Sequence, residues 1–159
     1  MLKFSKKTDY GLIALRHMTA RPGESITSAR EVSDTYGVSY ELISKILQTL
    51  KRTGVVASVQ GASGGYRLSR PLSTLSLFDF IEMLEGPQGV IDCARAGSEP
   101  CLVSSSCNVV MPMRELNRKV MKLLQETTLE DLFREAGPLP AHFLAHPAAE
   151  PPVPEAAAK

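Results

Sequence analysis

Residues 28–68, SAREVSDTYGVSYELISKILQTLKRTGVVASVQGASGGYRL, decide the fold. Ser28 and Glu31 have the spacing of a capping box, in which hydroxyl and carboxylate each take an orphan backbone N–H at a helix start. The helix they open is short and stops at Tyr36-Gly37, where glycine suits the left-handed turn that closes helices. Only Val38 intervenes before Ser39 caps a second helix, Tyr40 to about Thr53, closed by Gly54. Leu42, Ile43, Ile46, Leu47 and Leu50 form its apolar stripe, which turns Glu41, Ser44, Lys45, Gln48, Lys51 and Arg52 outward. Val55–Val59 reads as a strand and Tyr66–Leu68 as its return, joined by the glycine-rich turn 60–65. Helix, glycine turn, helix and hairpin in that order make a winged helix-turn-helix.

Upstream, Tyr10, Ile13, Ala14 and Met18 recur at helical spacing from Lys6 to about Ala20, with Ser5 as cap and Arg21-Pro22-Gly23 as terminator. Downstream, Ser76 and Asp79 open a helix that runs through Glu85 and ends at Gly86-Pro87. A loop with all three cysteines follows, and a long helix begins near Val109 with Pro112 in its first turn. Val109, Met113, Leu116, Val120 and Leu123 step by 4, 3, 4 and 3, a seam that needs a partner surface and predicts a homodimer interface. Thr128 starts a short last helix, and the Pro/Ala-rich stretch from Gly137 is expected to be a disordered tail. The expected class is mainly α with a small β-hairpin. Its expected divisions are a winged helix-turn-helix over 1–84, a cysteine loop over 85–108, dimerisation and short C-terminal helices over 109–136, and the tail over 137–159.

The second helix of the pair carries the groove-facing set Ser39, Tyr40, Glu41, Ser44, Lys45 and Gln48. Glutamate accepts from cytosine N4, and glutamine pairs with adenine edges. Lys6, Lys7, Lys51, Arg52 and Arg67 suit phosphate. Gln60 and the small wing residues, Ser63 among them, suit a minor groove, where Gly61, Gly64 and Gly65 permit close approach. For each exposed polar residue the alternative is plain solvation. The net charge of +1 is unevenly spread. Residues 1–76 hold 11 Lys and Arg against 5 Asp and Glu, whereas residues 77–159 hold 7 against 12. The basic half is the one with the reading helix, so double-stranded DNA is the expected partner.

No apolar run approaches the ~20 residues of a membrane span, and the N-terminus turns charged at Lys3. The expected location is cytoplasmic, with no membrane partner and no small-molecule substrate. Nucleophile–base pairing, phosphate loops and paired carboxylates are not visible, so no enzyme is expected.

Cys93, Cys101 and Cys107 follow C-x7-C-x5-C. An odd count cannot pair fully as disulfides within one chain, and the C-x-x-C pairs of a zinc ribbon are missing. Three thiolates on one loop suit a soft metal centre with one position left to another ligand. Asp92 and Glu99 are oxygen ligands within reach of that loop in sequence, and three ordinary redox-reactive thiols are the alternative. His17 reads as a packed or interfacial side chain rather than a ligand, and His142 and His146 as incidental.

Several stretches together resemble the winged-helix iron–sulfur transcription regulators that include IscR and NsrR, over roughly residues 1–135. They are Ser5-Lys6-Lys7-Thr8-Asp9-Tyr10, Gly37-Val38-Ser39-Tyr40-Glu41-Leu42, Leu50-Lys51-Arg52-Thr53-Gly54-Val55-Val56 and the wing Gly61–Leu68, followed by the cysteine triad. The resemblance implies a homodimer with crossing long helices and two winged helices on a pseudo-palindromic operator. It also implies an iron–sulfur cluster, 2Fe-2S or 4Fe-4S, held by Cys93, Cys101 and Cys107. Asp9 matches the position from which NsrR-like members supply a carboxylate across the dimer. The implied role is control of iron–sulfur cluster assembly genes. The alternatives are a nitric-oxide-sensing repressor, a cluster-free thiol regulator, or an interaction module. Two departures stand out: the first cysteine gap is seven residues where five is commoner, and Val110 stands where IscR-like proteins have a histidine ligand.

Overall fold

The structure is a computed structural model that describes residues 4–20, 26–61, 64–94, 97, 99, 101–103 and 105–144. Its elements are α1 (Lys6–Thr19), α2 (Ala29–Tyr36), α3 (Tyr40–Arg52), β1 (Val56–Val59), β2 (Gly65–Leu68), α4 (Leu77–Glu85), α5 (Val110–Glu126), α6 (Leu129–Glu135) and α7 (Ala141–Leu144). Single 3-10 turns lie at Leu72–Thr74 and Asp92–Ala94. Mainly α with one hairpin is therefore what this sequence forms.

The helix starts follow from side-chain chemistry. Hydroxyls of Ser5, Ser28, Ser39, Ser76 and Thr128 each accept a backbone N–H in the first turn of the helix they precede. Such a cap contributes about 1 kcal/mol. The Ser28–Glu31 box is complete on both sides. Gly37 ends α2 at φ 63°, a left-handed conformation that glycine adopts without a Cβ penalty.

The hairpin is antiparallel, with Val56 opposite Leu68 and Val59 opposite Gly65. Thr27 pairs with it from the other side, exchanging both backbone hydrogen bonds with Tyr66 at 2.9 Å. That closeness fixes the residue at 65, because a Cβ there would sit 2.7 Å from the Thr27 carbonyl oxygen. The wing is thus fastened to the segment that leads into α2.

Leu15 of α1, Ile43, Leu47 and Leu50 of α3, and Phe80 and Ile81 of α4 form one fully buried core, closed from the C-terminal side by Leu129. Two backbone bonds tie the entrance of α4 to the α5–α6 junction: Leu77 N–H donates to the Thr127 carbonyl at 2.8 Å, and Leu129 N–H to the Leu75 carbonyl at 3.0 Å. Helix α5 lies against this body through Met121 and Leu124, both buried, and through the half-buried Val120. Of the seam expected from the sequence, Met113 is half-buried as well, and the other three residues point away. Val109, Leu116 and Leu123 are 53%, 45% and 63% exposed.

Past α6 the chain differs from the structureless tail expected from Gly137. The Arg16 guanidinium donates to the Gly137 carbonyl at 2.9 Å, and α7 places Phe143 in a stack on Tyr36, ring centroids 5.0 Å apart. An aromatic ring and a cation supply here the anchoring that Pro and Ala alone do not. Residues 145–159 lie outside the described residues. Among the described residues no helix is long and apolar enough to cross a membrane.

Candidate nucleic-acid interface and cysteine loop

Helix α3 buries Ile43, Ile46, Leu47 and Leu50, and this fixes which side chains face out. Tyr40, Glu41, Lys45, Gln48, Lys51 and Arg52 are exposed, and Ser44 is half-buried among them. Glu41, Lys45, Gln48 and Arg52 recur three or four positions apart and so share one stripe. Ser39, expected from the sequence to face a groove, spends its hydroxyl on the Leu42 N–H and so helps start the helix. Gln60 and Gly61 are exposed at the wing tip, and Arg67 is exposed on β2 opposite Ala57. Lys6 and Lys7 are exposed at the head of α1. Ser63 lies outside the described residues.

One interaction on this surface has no counterpart in the sequence pattern. The Arg30 guanidinium, on the first turn of α2, lies 5.3 Å from the centroid of the Tyr40 ring. Arg30 is nine residues upstream of the cap of α3, and no helical or strand period links the two positions.

His17 on α1 is fully buried. Its Nε2 lies 3.0 Å from a Glu31 carboxylate oxygen and its Nδ1 3.1 Å from the Tyr36 hydroxyl. Glu31 therefore serves both the capping box and α1. A packed histidine is what the structure shows, and it locks α1 to both ends of α2.

Glu85 is the second network that sequence reasoning missed. At the end of α4 its carboxylate accepts from the Ser5 N–H at 3.2 Å, from the Thr8 hydroxyl at 2.7 Å and from the Ser5 hydroxyl. Partial burial alone would raise its pKa. The hydrogen bonds from Ser5 and Thr8, with the charge of Lys7, outweigh this and hold it below the usual glutamate value. Ser5 and Thr8 are visible at the head of α1, but their acceptor lies 80 and 77 residues away in the chain.

The cysteine loop starts immediately after Glu85 and Gly86. Its first part is pinned by the Val90 N–H, which donates to the Asn117 side-chain oxygen of α5 at 2.7 Å. Cys93 sits in the 3-10 turn and is exposed, Cys101 is exposed, and Cys107 is half-buried just ahead of α5. All three are free thiols. As a donor set they fit an iron–sulfur cluster in kind, since cluster iron takes thiolate sulfur. Among the described residues, however, no three His, Cys, Asp or Glu side chains are gathered closely enough to hold one metal ion. Asp9 is exposed in the first turn of α1, and Asp92 and Glu99 are exposed in the loop. None of these carboxylates joins the cysteines in such a group within one chain.

Comparison with known proteins gives the same architecture. Protein aau3 of Rhizobium meliloti (strain 1021) is 34% identical over 133 residues, 84% of this chain and 86% of that protein. The solved structure of CymR, the global cysteine regulator of B. subtilis, superposes with a TM-score of 0.67 at 30% identity, covering 85% of this chain and 98% of its own. T. potens IscR superposes with a TM-score of 0.62 at 27% identity, covering 85% and 88%. The Rrf2 family model, described as iron-dependent transcriptional regulator, matches residues 4–135. That span takes in the wing, the cysteine loop and the long helix alike, and the chain belongs to the Rrf2 family of winged-helix transcription regulators.

Proposed function

We propose that this chain acts as a homodimer that converts the state of its cysteine loop into operator affinity, with an iron–sulfur cluster on Cys93, Cys101 and Cys107 as the sensing group and iron–sulfur cluster assembly genes as the target. One observation carries this. The loop with all three free thiols is spliced between two elements with distant reach, Glu85 of α4, which holds the head of α1, and α5. A change in the loop can pull on the winged helix through Glu85 and on the subunit interface through α5. The exposed Val109, Leu116 and Leu123 stripe supports the dimer, since an apolar face of this length on one helix is costly to leave in water. Asp9, from the partner subunit, is the proposed fourth ligand. A bound cluster would supply a redox- and nitric-oxide-sensitive group. The protein's own residues do the rest: Glu85 orients α1, α3 reads base edges with Tyr40, Glu41, Lys45 and Gln48, and Lys51, Arg52 and Arg67 face phosphate.

A second reading has its own support. Cys93 and Cys101 are exposed and, among the described residues, belong to no metal-holding group of three; the CymR of B. subtilis is a cysteine regulator, and the CymR of Staphylococcus aureus has been solved in an oxidized form. A thiol switch without iron would use the same loop and the same levers. The test is an anaerobic absorbance spectrum of the purified protein with iron and acid-labile sulfide quantified. Visible absorbance with matched iron and sulfide supports the cluster. Colourless protein that resists anaerobic reconstitution overturns it and leaves the thiol switch.

A further inference from the structure

We infer that Arg30 is a positioning residue for DNA recognition: it holds the Tyr40 ring against a thymine methyl group while its own guanidinium takes the adjacent phosphate. This rests on α3 being the helix that reads the groove. Tyr40 occupies the first position of α3 and is 49% exposed, where a recognition helix presents its side chains to base edges. An exposed ring at a helix start has free rotamers and would lose them on binding. The guanidinium 5.3 Å from the ring centroid removes that freedom beforehand. Among the described residues Arg30 makes no other polar interaction, and a guanidinium set against a ring keeps its edge N–H donors for an anion. Its position matches that task. Arg30 lies on the first turn of α2, the helix that crosses the phosphate backbone in this motif.

With the cation occupying part of its surface, the ring offers apolar carbon elsewhere. In the major groove the apolar feature of a base is the thymine methyl. Arg30 and Tyr40 therefore act as a unit, one reading and one anchoring.

The test uses a duplex selected from a random pool by the full-length dimer, and a copy in which each thymine of the half-site is replaced in turn by uracil. Mobility-shift titrations at several salt concentrations are run for the wild type, Arg30→Ala, Tyr40→Leu, the double variant and Tyr40→Phe. The wild type and Tyr40→Phe should prefer thymine over uracil at one position by about fourfold, the worth of one buried methyl. Arg30→Ala and Tyr40→Leu should each abolish that preference, and the double variant should lose no more. Arg30→Ala and the double variant, but not Tyr40→Leu, should also flatten the salt dependence, by about 0.9 in log–log slope for each phosphate left without its cation. A thymine preference that survives Arg30→Ala would overturn the positioning role, even with a flatter salt slope. Failure of the wild type to select any sequence would be a different outcome, sinking the DNA-reading assignment of α3 and this inference with it.

Discussion

The winged helix and the cysteine loop of this chain are built on opposite rules. In the first, polar pairs and buried apolar groups link elements far apart in the chain: His17 bridges Glu31 and Tyr36, Glu85 gathers Ser5 and Thr8, and Phe80 and Leu47 are fully enclosed. In the second, Cys93 and Cys101 are exposed and Leu102 is entirely so. The contrast separates what holds the protein together from what is free to change state. Stability should respond to substitutions in the first region and barely to those in the second, while signal response should do the reverse.

The largest expected break comes from the core. Phe80→Ala should cost about 3–5 kcal/mol, the usual loss when a buried aromatic becomes a cavity. Urea or thermal unfolding measures it, and a loss under about 1 kcal/mol would mean α4 is not part of the core.

Glu85 comes next, because it stands where the regions meet. Glu85→Ala removes the acceptor of the fully buried Thr8 hydroxyl and should cost about 1–3 kcal/mol. The same carboxylate predicts a pH effect. Its folded pKa is depressed, so its contribution is present above the unfolded glutamate value of about 4.3 and fades as pH falls through the lower folded value. Wild type should lose more stability than Glu85→Ala between about pH 5 and acid, and parallel curves would show that Ser5 and Thr8 do not need the charge.

The smallest stability effect belongs to the loop. In iron-free, reduced protein Cys93→Ser should change unfolding free energy by no more than about 0.5 kcal/mol, as for an exposed surface site. A cost above about 2 kcal/mol would place that thiol in the structural half of the comparison.

The two regions are also unequally legible in the sequence. Within residues 28–68 each decision is local: a hydroxyl caps its own first turn, Gly37 ends its own helix, and the apolar period of α3 names the buried face. Those signals survive without knowledge of the fold, which is why the elements fall within a residue or two of expectation. Glu85 is out of reach because its partners are recruited only after α1 and α4 pack. The seam on α5 is visible, but sequence spacing does not distinguish a face that meets the chain's own core from one that meets a second copy. Val120 takes the first role, and Leu116 and Leu123 are left outward. Phe143 lies in a Pro/Ala-rich context that hides its stacking on Tyr36. The cysteines are legible as a donor set by chemistry, whereas their gathering depends on a loop conformation that spacing does not encode.

Coupling between loop and operator is tested most directly by operator affinity measured against the state of the thiols. The same selected duplex is titrated anaerobically with the wild type and with the combined Cys93→Ser, Cys101→Ser and Cys107→Ser variant, each before and after oxidation with concomitant loss of any bound iron. The wild type should change its affinity by about tenfold or more between states, a coupling of about 1.4 kcal/mol, and the triple variant should bind with one affinity throughout. Identical wild-type affinity in every state would contradict the coupling and leave a DNA-binding dimer with an idle cysteine loop.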